Sequence, residues 1–336
     1  MLTTLKNLFS SPPVKSERAT RKPEAKSQQN KKLKPDPRPA GVSIAEIDAA
    51  FYGLILGVLS PIDSDLNDFE KKALRDIDKL LASDISHSKL VPRLPAVIPK
   101  VMSTLRDKSS SAADLASELG RDAVLVSEVI RLANSPYYRV GQNVSSLERA
   151  VFVLGQVGVR QLVANAAFKP MINFNSGHFT QLSGTTLWDQ SEKTAIACDC
   201  MARQNKSDRF NAYLTAIVQN VGLTVALQIL DRNFDGSQAP HSALFQERLI
   251  NRSRELSLVI AKQWGFPATV LEALESQHEP KHMQTLGSIL YAGDKLSKIH
   301  ILATRGRFKD DVDRLVNRLQ RRFKFSCRAC YDAFSD

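Results

Sequence analysis

Residues 213–230, YLTAIVQNVGLTVALQIL, are apolar on almost every face of a helix, broken mainly by Gln219-Asn220 and then Gly222. A helix that is apolar all round is usually buried at the centre of an all-helical domain. A polar dipeptide at that depth is either a pair of bonded core amides or the remnant of a site. The expectation adopted here is the remnant of a site whose chemistry has been lost.

The rest of the 336 residues suits such an interior. The apolar fraction is 43% and there are only 15 glycines, a composition that favours helix. No run alternates with period two over any length, so no sheet is expected. The formal charge of +11 sits at the ends. Residues 1–40 hold ten Lys/Arg and three acids; residues 305–336 hold nine and five. Residues 41–304 balance, with 27 of each. Any attraction to nucleic acid or an anionic surface therefore belongs to the termini. Residues 11–40 of the basic tail lack aromatic residues for base stacking, which weakens a single-strand reading.

Four cysteines are too few for a disulfide scaffold in a chain of this size. Cys198 and Cys200 are two apart on a helical pattern and should point to different faces. Cys327 and Cys330 form one CxxC, half of a tetrahedral zinc site with no nearby complement. Reduced thiols are expected. No secretory leader pattern is visible, and the longest apolar run, Phe51 to Leu59, is far below the roughly 18 residues that span a bilayer. The expected setting is soluble and cytoplasmic, without a transmembrane segment.

Residues 1–40 are rich in Pro, Lys, Ser and Gln and are expected to be a disordered basic tail. Ser43 with Glu46 forms a capping box that opens a helix ending at Pro61. A second helix carries Leu66, Phe69, Leu74, Ile77 and Leu80, and the two are read as a helical hairpin over 41–87. Ser111 with Asp114 opens a short helix, Asp122 caps the next, and Asn134-Ser135-Pro136 breaks it. Ser145 with Glu148 opens a helix that stops at Gly155, and the following one ends near Pro170. Residues 171–184 read as a loop. Helices near 186–205, 209–231, 243–264, 267–277 and 285–303 follow, and a basic helix lies in 307–323.

In order, LVPRLPAVIPKVM (90–102), AADLASELGRDAVLVSEVIRLANSPYY (112–138), VSSLERAVFVLGQVGVRQLV (144–163), Trp188 with Ser191, AYLTAIVQNVG (212–222), WGFP (264–267) and Gln277-His278 resemble the HDOD family, a bacterial output domain related to the HD metal-dependent phosphohydrolases. Ala123 departs from the usual Pro after Asp, which touches a helix start only. The resemblance implies an all-α multi-helix bundle over residues 88–303, preceded by the helical extension 41–87 and followed by the basic C-terminal piece 304–336. It also implies a signalling role without enzymatic activity.

HD enzymes hold divalent ions with His and Asp side chains on several helices; the ions activate water and neutralise phosphate. Carried over residue by residue, the early His position falls at Gln190, beside Ser191. The His-Asp pair falls on Gln219-Asn220, a later His near Ser253, and the final Asp on Asp294. His278 matches a family-like position near the pocket. One carboxylate and no imidazole remain, so neither metal nor other cofactor is expected, and no catalysis. The turn at Asn134, Ser135 and Tyr137 is a candidate contact surface for a signalling partner, since exposed loops often carry function. Alternatives kept open are nucleic-acid or anionic-surface binding by the basic ends, and a nucleotide held by the neutral amides of the degenerate pocket. No GxxxxGK[ST], GxGxxG or GxSxG motif occurs.

Overall fold

Every residue from Tyr213 to Leu230 except Gln228 is buried, so the apolar stretch does form the interior. It does so as two helices rather than one. The computed structural model describes residues 41–58, 60–106, 120, 122–136, 138, 139, 141, 143–172, 177–277 and 285–334. In chain order these hold α1 (Ile44–Leu56), α2 (Asp68–Ala82), α3 (Val97–Arg106), α4 (Ala123–Ala133), α5 (Leu147–Ile172), α6 (His178–Gln204), α7 (Arg209–Val218), α8 (Val221–Asn233), α9 (Ala243–Gln263), α10 (Ala268–Glu275), α11 (Thr285–Thr304), α12 (Val312–Phe323) and α13 (Cys327–Asp332). Among the described residues there is no strand, only an isolated bridge between Ile62 and Ser242. The all-α expectation holds. The expected basic tail, the Ser111–Asp114 helix start, Tyr137 and His278 lie outside the described residues.

The break between α7 and α8 falls at Gln219-Asn220, and a neighbouring helix completes it. Ser257 on α9 accepts a hydrogen bond from the Gly222 N–H at 2.9 Å and donates one to the Gln219 carbonyl at 2.7 Å. One hydroxyl thus satisfies a backbone donor and a backbone acceptor that the interrupted ladder exposes. Ser257→Ala should strand both groups in the core and cost about 2–3 kcal/mol. A denaturant midpoint within error of wild type would contradict this.

Several boundaries differ from the sequence reading for similar reasons. Residues 178–184 are helical, not a loop, because Asp231 of α8 caps α6 from outside. Its carboxylate accepts from the Phe179 N–H at 2.6 Å, the Thr180 N–H at 3.3 Å and the Thr180 hydroxyl at 2.7 Å. A cap supplied fifty residues away leaves no local signal. The break at Gly155 is where the sequence put it, with φ 71° and ψ 173°. Beyond it the helix runs past Pro170 to Ile172. Its start is capped by Ser146, whose hydroxyl accepts from the Arg149 N–H at 3.2 Å, one residue later than Ser145. Ser43 and Glu46 form the expected capping box.

The segments 41–87, 88–303 and 304–336 belong to one compact unit, residues 41–336. The two N-terminal helices dock on the main body rather than chiefly on each other. α1 lies against α6 and α11; α2 lies against α8 and α9. Leu147–Ile172 and Arg209–Asn233 are long and apolar enough to cross a bilayer, longer than the sequence reading allowed. In the second of these, 94% of the most apolar window is buried within the fold, as in any central core helix.

Candidate functional site

Four helices bring most of the predicted site residues together. Gln190 and Ser191 come from α6, Gln219 and Asn220 from the α7–α8 break, Ser253 from α9 and Asp294 from α11. Gln190 is fully buried. Its amide nitrogen donates one hydrogen to Asp294 Oδ1 at 2.9 Å, and the other is shared between Thr194 Oγ1 at 3.0 Å and Ser297 Oγ at 3.1 Å. Asn220 donates to Gln190 Oε1 and, at 2.8 Å, to Ser191 Oγ. Ser191, Asn220, Gln190 and Asp294 are thus linked in a chain in which both amide nitrogens, of Asn220 and Gln190, face oxygens. Gln219 accepts from Gln277 at 2.9 Å through Oε1, while its Nε2 has no partner among the described residues. Ser253 donates to the Leu249 carbonyl at 2.7 Å and lines the site without joining the chain.

The other half of the site was not read from the sequence. Asp294 Oδ2 accepts from Lys295 Nζ at 2.8 Å and from Lys298 Nζ at 2.9 Å. Both lysines also reach Asp48 of α1: Lys295 at 2.7 Å to each oxygen, Lys298 at 3.0 Å. Lys295 and Lys298 are 2% and 1% exposed. Lys298 further donates to Tyr52 Oη at 3.1 Å and sits 4.4 Å above the centre of that ring. Buried ammoniums persist only when paired in this way.

The charges respond accordingly. Burial alone would raise the Asp294 carboxyl; the adjacent Lys295 and Lys298 more than reverse that and hold it well below the usual carboxylate range. Asp48 is lowered against the same penalty by Lys298 and Lys295. Burial works against the charge on Lys298, and Asp294 and Asp48 overcome it, so its pKa is raised. Arg254 of α9 joins from the cavity side; its own desolvation is outweighed by Tyr52, Asp294 and Asp48.

This donor set does not fit a divalent ion. Asp294, the carboxylate expected at a ligand position from the resemblance, already has an amide N–H on one oxygen and two ammoniums on the other. A unit charge pair about 4 Å apart is worth about 4 kcal/mol at an effective dielectric near 20, and a dication facing each lysine would double the repulsion. The Gln and Asn groups offer no compensating charge. The cavity bounded by Tyr52, Gln219, Asn220, Ser253, Arg254 and Asp294 has about 20 Å³, room for roughly one water.

The second predicted group, the turn after α4, is built from its own side chains. Asn134 Nδ2 donates to the Ile130 carbonyl at 2.9 Å and the Val144 carbonyl at 2.7 Å, and its Oδ1 accepts from the Val144 N–H at 2.8 Å. Ser135 donates to the Leu132 carbonyl at 2.7 Å. Asn134 is therefore the clip that shapes the turn. Tyr138 is buried against Tyr213, with their hydroxyls 3.0 Å apart.

The cysteine expectation is corrected. Cys198 and Cys327 are buried free thiols, whereas Cys200 and Cys330 form a disulfide with Cα atoms 5.6 Å apart. Their separation of 130 residues hid the pairing, which exists because the C-terminal segment packs back on α6.

Solved structures share this architecture. An HDOD domain protein with unknown function from Geobacter sulfurreducens is 21% identical, with 72% of this chain and 81% of that one covered at a TM-score of 0.54. A Shewanella amazonensis protein described as a "Putative phosphohydrolase" is 19% identical, with coverage of 79% and 93% and a TM-score of 0.55. These likenesses establish the fold. An uncharacterized protein of Treponema pallidum is 18% identical over 214 residues, and the chain spans 40% of that protein's length. The family model of the HDOD domain matches residues 91–280, more than half of the chain and most of the helices that build the site. With the landmark order, the bundle and that match in agreement, the chain belongs to the HDOD domain family.

Proposed function

We propose that this chain is a non-catalytic regulatory protein, working in cytoplasmic signal transduction by contact with a protein partner. One observation supports the reading: Asp294, the one carboxylate that the resemblance to HD enzymes puts at a ligand position, is neutralised by two buried lysines. Without a bound dication there is nothing to activate water or screen a phosphate. The site then serves as a joint that ties α1 to the bundle, and function moves to the surface. The turn at Asn134–Pro136 is the surface favoured, because it borders an open cleft of about 390 Å³ lined by Arg131, Ser135 and Pro136.

The purified chain is expected to show no hydrolysis of phosphomonoesters or phosphodiesters above the no-protein background with Mn²⁺ or Mg²⁺ added. Turnover that disappears on Asp294→Asn would refute the proposal. The nucleotide alternative draws little support from a cavity of about 20 Å³, since ligand pockets run to roughly 300–1,000 Å³. Binding through the basic ends would instead weaken steeply with salt.

A further inference from the structure

We propose that the Cys200–Cys330 disulfide is a redox latch holding the C-terminal segment as one wall of the cleft beside the Asn134–Pro136 turn. The cleft has two sides. Arg131, Leu132, Ser135 and Pro136 come from α4 and its turn; Ala333 and Phe334 come from just beyond α13. The latch lies immediately before that second wall, with Cys330 on α13 joined to Cys200 near the end of α6.

Besides this bond the wall is held by the buried side chains of Phe325 and Cys327 and by a small set of polar and ring contacts. α13 is six residues long, too short to be stable as an isolated helix. Gln204 accepts from the Ser326 N–H at 3.0 Å, and its amide nitrogen lies 3.4 Å from Cys330 Sγ. His300 meets the Tyr331 and Phe334 rings edge-on at 5.4 and 5.2 Å. Arg328 ties the segment to Asp313 of α12. A short terminal segment opens locally before the central helices do. A covalent tie to α6 suppresses that opening by limiting the chain's freedom.

The latch can be worked from outside. Cys200 is partly exposed whereas Cys330 is fully buried, so a dithiol reductant approaches the bond from the Cys200 side. The reductant's thiolate attacks Cys200 Sγ, the S–S bond breaks, and Cys330 leaves as the thiolate and takes a proton. The reductant's second thiol then closes on the mixed disulfide, releasing Cys200 as a thiol and leaving the reductant as a cyclic disulfide. Two electrons and two protons have passed to the protein. A small disulfide oxidant reverses the sequence. Cys327 takes no part despite its CxxC spacing, because burial pushes its thiol up to about 11 and keeps it protonated. In a reducing cytosol, disulfides that do form are usually transient and sensing. Only the use of the switch rests on the function proposed above; the motion of the wall can be read without any partner.

The test uses the full chain, oxidised with oxidised glutathione and then treated or not with dithiothreitol. Peptide mapping should recover a linked Cys200–Cys330 peptide before reduction. Amide hydrogen exchange in residues 325–334 should then accelerate on the order of a hundredfold on reduction, while α8 is unchanged. Cys200→Ser should match the reduced state in both conditions, and Cys327→Ser should behave as wild type. Absence of the linked peptide after oxidation, or acceleration of less than tenfold, would overturn the proposal. Reduced wild type supplies the answer even if Cys200→Ser fails to fold.

Discussion

Lys298→Met should destabilise the fold by about 3–5 kcal/mol, because it leaves buried carboxylates without a partner they require. Lys298 is 1% exposed and bonds Asp294, Asp48 and Tyr52 at once. Lys295 would then be the one ammonium left facing both aspartates, with Arg254 beside it. The effect should depend on pH in a defined sense. Asp294 and Asp48 have folded pKa values below the ordinary carboxylate value, so their stabilisation is complete above about pH 4 and lost as pH falls further. Lys298 has a folded pKa above the ordinary lysine value; its stabilisation is complete below about pH 10 and lost as pH rises through the raised value. Between about pH 5 and 9 the cluster should add no slope to wild-type stability. Denaturant melts of wild type and Lys298→Met across that range would check this. A wild-type slope in that window that Lys298→Met removes would contradict the assignment.

Gly222→Ala should be nearly as damaging, about 3 kcal/mol, through overpacking rather than charge. A Cβ at that position would sit 2.0 Å from the Ser253 carbonyl oxygen and 2.4 Å from the Ser257 nitrogen. Both are backbone atoms of α9, so no side-chain rotation relieves the contact. Moving α9 away would also break the Ser257 bridge and shift Ser253 and Arg254 against the cluster. Urea unfolding should show a lower midpoint with an unchanged slope. A variant as stable as wild type would show that α8 and α9 are not held at this distance.

These two positions mark the limit of what the residue order disclosed. The apolar run around Gly222 identifies the core, and the resemblance groups Gln190, Asn220 and Asp294 at one site. Lys295 and Lys298 do carry a signal in the sequence: two lysines at i+1 and i+4 from Asp294 on a largely apolar helix, Thr285–Thr304, have no water to reach. Asp48 carries none, since its partners are more than 240 residues away and α1 reads as an ordinary amphipathic helix. The same holds for Asp231 as a cap on α6 and for the Cys200–Cys330 bond. Each is a tertiary contact between elements whose own patterns are complete without it, which is why local periodicity found the helices and missed their joints.

We propose that Lys295 and Lys298 take up, at Asp294, the place that a metal ion has in the related HD enzymes. The most direct test is titration of the intact, metal-stripped chain with Mn²⁺ and Fe²⁺, followed by calorimetry and elemental analysis. The account predicts no saturable binding up to about 1 mM and no rise in melting temperature. One ion per chain, bound at micromolar concentration and lost in Asp294→Asn, would contradict it.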